Sequence, residues 1–116
     1  MIERGDIFYA DLSPVPGAGE GGLRPFLIVQ SDVGEKNSPT VIAAEITFQI
    51  PQTLLSTQVK IAASESGLSG DFVILLEKIR VVDKRRLTEK IGCLNQQTMQ
   101  DINAAILETF GLGREE

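Results

Sequence analysis

GAGEGGLRPFLIV, Gly17 to Val29, decides between two folds. Gly17, Gly19 and Gly22 spell G-x-G-x-x-G, a pattern that binds dinucleotides only when a strand precedes the glycines and a helix opens directly after them to meet the pyrophosphate. No helix can follow here. Pro25 pushes Arg24 toward extended geometry, and Phe26-Leu27-Ile28-Val29 is a short apolar run of strand length. The stretch therefore reads as a loop that delivers Arg24 to the start of a buried strand. Glycines let a ligand approach the backbone closely, and the strand fixes the arginine's base while leaving its fork free, an arrangement that suits phosphate. A surface arginine paired with Glu20 or Asp11 is equally compatible with the position.

Outward from this stretch the chain is a series of short apolar runs separated by turn residues, without repeats, low-complexity segments or linkers. Ile7 to Leu12 reads as a first strand, with Ile7 and Tyr9 on one face and Phe8, Ala10 and Leu12 on the other. Ser13-Pro14-Val15-Pro16 and the glycines form a loop into the strand Phe26 to Gln30. Ser31 to Pro39 is turn-rich, with room for a short helical turn, and Thr40 to Thr47 is a third strand. Gln58 to Ala62 and Asp71 to Val82 follow, the latter bent or bulged around Glu77. Strands spaced in this way predict a mostly-β fold, a small barrel or sandwich, and 116 residues with 42% hydrophobic content suit one domain spanning 1–116.

One helix is signalled near the C-terminus. Asn95 is a good N-cap, Leu94 and Met99 have the spacing of a hydrophobic staple, and Gly111 is placed to end the helix in the left-handed conformation. Met99, Ile102, Ile106 and Phe110 share a face expected to pack on the sheet. Cys93, just before the cap, reads as an inert buried thiol.

Composition narrows the chemistry. The chain has no histidine and one cysteine, which rules out Ser-His-Asp and Cys-His arrangements and leaves no usual zinc site; no metal and no cofactor is expected. A formal net charge of −5 argues against a general nucleic-acid coating protein but allows a local basic site. No apolar stretch approaches a membrane span and Met1 to Asp6 lacks a signal-peptide layout, so a cytoplasmic protein with no membrane partner is expected. Lys84-Arg85-Arg86, with Lys78 and Arg80 before it, is the densest positive run. It reads either as a solvated face or as a rim that tracks phosphates. Thr47 ends its strand where a hydroxyl can donate to an anionic oxygen, and Phe48 beside it suits the core or base stacking.

Four segments in sequence carry a family resemblance: Arg4-Gly5-Asp6-Ile7-Phe8-Tyr9-Ala10-Asp11-Leu12-Ser13-Pro14; Gly21-Gly22-Leu23-Arg24-Pro25; Ser38-Pro39-Thr40 leading to Ile46-Thr47; and Ile74-Leu75-Leu76-Glu77-Lys78-Ile79-Arg80 with Asp83-Lys84. Together they resemble the MazF/PemK toxins of bacterial type II toxin–antitoxin systems. The resemblance implies an SH3-like barrel and a homodimer. It also implies a metal-independent, sequence-specific endoribonuclease that cuts single-stranded mRNA, held in check by a MazE-like antitoxin. The family's catalytic arginine and threonine fall on Arg24 and Thr47, and its substrate-contacting positions on Gly19, Glu20, Gly21, Gly22, Phe48, Gln49, Glu77 and Lys78. In the implied mechanism the RNA's own 2′-hydroxyl is the nucleophile, which accounts for the absence of histidine: the protein has to align it and stabilise developing negative charge. Guanidinium is a poor base near neutral pH, so the base is left open among water, a carboxylate such as Glu20, and Arg24 itself.

Two departures from the family pattern bear on specificity. Relatives commonly carry Gly-Ser-Glu-Gln where this chain has Gly17-Ala18-Gly19-Glu20, which moves the loop carboxylate one position later. Where Glu-Gln-Ile-Arg is common this chain has Glu77-Lys78-Ile79-Arg80, trading an amide's base reading for phosphate attraction. Two other classes share the scaffold: a CcdB-like toxin that binds DNA gyrase without catalysis, and an inactive regulator that only binds antitoxin. The presence of both Arg24 and Thr47 favours the nuclease.

Overall fold

A computed structural model describes residues 2–14, 22–31 and 37–113. Six strands, β1 (Asp6–Asp11), β2 (Leu23–Ile28), β3 (Thr40–Thr47), β4 (Gln58–Ile61), β5 (Phe72–Asp83) and β6 (Leu87–Cys93), precede one helix, α1 (Gln96–Phe110). They form a single sheet in the order β4-β5-β3-β2-β1-β6, every neighbouring pair antiparallel. The expected barrel is not closed among the described residues: β4 and β6 are its two edges.

Strand alternation divides the apolar residues between two faces. Ile7, Leu27, Ala44, Ile46, Ile74 and Leu76 cluster with Met99 and Ile102 of α1 and with Leu94 just ahead of it. On the opposite face Ala10, Phe26, Ile28, Val41, Ala43 and Val82 form a second cluster, with Phe8, Leu12 and Leu87 packed against it. Of the predicted split of β1, Ile7 lies on one side and Phe8, Ala10 and Leu12 on the other as expected, while Tyr9, expected beside Ile7, belongs to neither cluster.

The bend expected around Glu77 is present. Ala44 pairs with Ile79 and Glu45 with Leu75, so Leu76, Glu77 and Lys78 have no rung on β3 and β5 bulges there. The Glu77 carboxylate is occupied from the β4 side, accepting from the Thr57 hydroxyl at 3.2 Å and the Gln58 amide at 2.7 Å.

Three expectations are corrected. β2 begins at Leu23, not Phe26, and so incorporates Arg24 and Pro25. Pro25 is tolerated because it precedes the first rung with β3, at Phe26. β6 was not foreseen; its charges and its two register shifts against β1 break the alternation that marks a strand, as suits an edge. Cys93, at the end of this edge strand, is exposed rather than buried.

Helix α1 follows its signals, with Asn95 accepting from the Thr98 amide at 2.8 Å and Gly111 left-handed at φ 68°. Its apolar stripe ends early, since Ile106 packs on the core whereas Phe110 is exposed. No helix among the described residues is long and apolar enough to cross a membrane.

Candidate functional site

Arg24 and Thr47 belong to adjacent strands. β2 and β3 pair in the register Ile28↔Ala43, Leu27↔Ala44 and Phe26↔Glu45, and carrying that register two residues further brings Arg24 level with Thr47. Side chains at opposed positions share a face, and this is the face of Phe26, Ile28, Val41 and Ala43, away from α1. Arg24 itself is half exposed.

Among the described residues the partner of Arg24 is Glu45 and not Asp11, while Glu20 lies outside them. Nη2 of Arg24 lies 3.1 Å from Oε1 of Glu45, whose other oxygen, Oε2, is 3.8 Å from Nη1 of Arg80. Glu45 was missed in the sequence, although the signal was there: in TVIAAEIT it is the lone charge on a strand whose same-face neighbours are Ala43 and Thr47. Asp11 is instead buried and accepts from the amide and hydroxyl of Ser13.

Thr47 Oγ1 accepts from the amide of Gln49 at 3.1 Å, a local turn that fixes the oxygen and leaves the hydroxyl proton to point elsewhere. Gln49 and Phe48 are exposed, and Phe48 meets the edge of Phe72 at a centroid distance of 5.9 Å. Phe48 is thus a surface aromatic braced by the core. Gly22 packs against the backbone of Leu12 and Ser13. Glu77 and Lys78 lie in the β5 bulge, both exposed, Glu77 held by Thr57 and Gln58. Gly19, Glu20 and Gly21 lie outside the described residues.

The basic run is not a uniform rim. Lys84, Arg85 and Arg86 form a 3-10 turn. Arg85 binds Asp83, its Nη2 2.7 Å from Oδ2, and the hydrogen bonds from its side chain and amide lower the Asp83 carboxyl to about 2. Arg86 points inward, its Nη1 donating to the carbonyls of Asp11 at 2.9 Å and Ser13 at 2.7 Å, and so ties down the chain ahead of the glycine loop. Arg80 and Arg86 line a cleft of about 410 Å³ with Leu12, Thr40, Val81, Val82 and Asp83. Arg80 links this cleft to Glu45 and, through it, to Arg24.

A half-exposed guanidinium and a strand-end hydroxyl on one rigid face, with a cationic cleft alongside, can hold and polarise a phosphodiester. Comparison with known proteins identifies the family of the chain. Residues 3–110 match the model of the PemK-like, MazF-like toxin of type II toxin-antitoxin system. The chain is 48% identical to Endoribonuclease EndoA of Bacillus subtilis, over 97% of each chain. It is 49% identical to Endoribonuclease MazF of Staphylococcus saprophyticus, over 97% of this chain and 93% of the relative. A mycobacterial endoribonuclease solved in complex with its cognate antitoxin shares the fold, with a TM-score of 0.80 at 24% identity over 99% of this chain and 100% of the other. The enzyme class expected from the sequence is the one its relatives bear. The match along nearly the whole length means that the chain belongs to the PemK-like, MazF-like toxins of type II toxin–antitoxin systems.

Proposed function

We propose that the chain is a homodimeric endoribonuclease that cuts single-stranded mRNA at short sequences without a metal, and that a cognate antitoxin restrains it. The RNA 2′-hydroxyl attacks the adjacent phosphorus as its proton passes to a base, and the bond to the 5′-oxygen breaks as that oxygen takes a proton from an acid, Arg24 or water. The products are a 2′,3′-cyclic phosphate and a 5′-hydroxyl end. Arg24 clamps the phosphate and stabilises the charge that develops on it, and Thr47 donates its hydroxyl proton to a non-bridging oxygen. Phe48 and Gln49 flank the scissile step, while Glu77 and Lys78 meet nucleotides further along, Lys78 through phosphate rather than base. Gly19, Glu20, Gly21 and Gly22 are assigned to RNA contact.

The observation that supports this reading is the β2–β3 register ending at Phe26↔Glu45, which strand alternation extends to put Arg24 and Thr47 on one face. A donor on each of two adjacent strands matches two oxygens of one phosphate, and relatives 48% and 49% identical are named endoribonucleases. The test is incubation of purified protein with mixed-sequence RNA in excess chelator, followed by end-group analysis. Cyclic-phosphate and 5′-hydroxyl ends are expected. Abolition of cutting by chelator, or 5′-phosphate ends, would show a different chemistry.

A further inference from the structure

Glu45 takes one arginine on each of its oxygens: Arg24 at 3.1 Å and Arg80 at 3.8 Å. Its backbone is paired on both sides, with Phe26 of β2 and Leu75 of β5, and its side chain is only 14% exposed. Arg24, by contrast, is a long side chain, 50% exposed and rooted at the start of a strand. A fixed carboxylate thus holds the Nη2 end of a guanidinium whose remaining N–H donors face solvent.

We propose that Glu45 is a positioning residue for RNA cleavage, orienting Arg24 so that its free donors meet the scissile phosphate; this rests on the reading of Arg24 given above. Three physical points support the role. An unrestrained arginine must lose its rotamer freedom when it clamps a phosphate, whereas one already held by Glu45 has lost much of it before substrate arrives. Glu45 also offsets one of two guanidiniums on the same face, leaving a net charge of +1 from Arg24, Arg80 and Glu45, still attractive to phosphate. Finally, pairs made by exposed arginines contribute little to stability, so the effect of removing this carboxylate falls on turnover rather than on folding. Oε1 of Glu45 accepts a hydrogen bond from Arg24, while Oε2 makes only a longer ion pair with Arg80.

The experiment compares the parent, Glu45→Ala, Glu45→Gln and Arg24→Ala on a synthetic single-stranded RNA spanning a cut site mapped with the parent. Steady-state cleavage and thermal melts are recorded for each. Glu45→Ala is expected to lower kcat about ten- to hundredfold, the scale of a misplaced reacting group, with KM unchanged or lower because a negative charge has gone. Glu45→Gln, whose amide oxygen still accepts from Nη2, should recover most of that loss. Melting midpoints should stay close to the parent's. Turnover by Glu45→Ala within twofold of the parent overturns the proposal, as does a loss confined to KM, or Glu45→Gln as impaired as Glu45→Ala. If Arg24→Ala cuts at the parent's rate, the reading of Arg24 fails and the role of Glu45 with it. An inactive Arg24→Ala beside a fully active Glu45→Ala overturns the role of Glu45 alone.

Discussion

Gly22 lies so close to Ser13 that a Cβ on the glycine would stand 2.3 Å from the Ser13 amide nitrogen and 2.8 Å from its Cα. The Leu12 amide donates to the Gly22 carbonyl at 2.8 Å across the same interface. Glycine is needed here because the chain's own backbone approaches, and the approach anchors the residues that lead into Arg24. Gly22→Ala must push two backbone segments apart. A loss of roughly 1–3 kcal/mol is expected, the usual range for overpacking, and denaturant unfolding will measure it. An unchanged midpoint would mean that the two segments separate freely.

Arg24→Ala is expected to remove most cleavage and leave the fold intact, since the arginine is half exposed and its neighbours Phe26 and Ile28 carry the packing. Thr47→Ala removes one donor to a developing oxyanion. Such a loss is typically on the order of 3 kcal/mol, about a hundredfold in rate, and smaller where water replaces the hydroxyl. Single-turnover cleavage with circular dichroism on each variant tests both. Parent-like rates for Arg24→Ala would remove the arginine from the mechanism.

Asp83 and Arg85 predict a specific acid response. The Arg85 side chain, then its amide, lowers the Asp83 carboxyl from its ordinary 3.8 to about 2. A folded-state value below the unfolded one gives stability that is present above about pH 4 and lost as pH falls through 2. Replacing Arg85 with alanine should therefore lower the melting midpoint at pH 6 only slightly, as suits an exposed pair, and lose that difference near pH 2. Lys90 has the opposite sign: the Asp6 carboxylate, 3.2 Å away, raises it above 10.5, so its contribution holds at neutral pH and is lost on strong alkalinisation. A parent–variant gap for Arg85→Ala that stays constant between pH 6 and 2 would show that the pair does not couple to folding.

Much of this was legible in the sequence because local chemistry and tertiary packing agree. Alternation placed β1 and β3, Asn95 and Gly111 bounded the helix, and Pro25 excluded a helix after the glycines. What escaped lies where long-range pairing decides. β6 is an edge strand of mixed polarity, and its Cys93 is exposed for that reason. Closure of the sheet depends on edge pairing that no local pattern encodes, and β4 and β6 remain edges. In the candidate site, Arg24 and Thr47 rest on the family resemblance, whereas Glu45 needed the β2–β3 and β3–β5 registers to bring 24, 45 and 80 onto one face. Likewise Arg86 reads as part of a solvated run until its two backbone acceptors, 73 and 75 residues away, are in place.

Antitoxin and RNA are expected to compete for one surface. An acidic, folding-on-binding segment of the antitoxin would be drawn to the cleft of Arg80 and Arg86, and to Lys78 and Lys84 beside it, despite a net charge of −5 on the chain. Local charge outweighs the total because screening limits exposed charges to about 8 Å at physiological salt. Ordering such a segment consumes part of the interaction energy, so apolar anchors must add to the charge; exposed Val81, which lines the cleft, suits that role. Arg86 is a poor probe, since its Nη1 holds the Asp11 and Ser13 carbonyls and its removal would disturb folding. Lys78→Ala with Lys84→Ala is the better pair. It should weaken RNA and antitoxin alike, and make the salt dependence of RNA binding shallower, by about 0.7 in slope for each phosphate no longer neutralised. Competition is read by titrating antitoxin into protein bound to an uncleavable 2′-deoxy analogue of the mapped site. Displacement at stoichiometric antitoxin is expected, whereas a stable ternary complex that still cuts added RNA would rule out inhibition by occlusion.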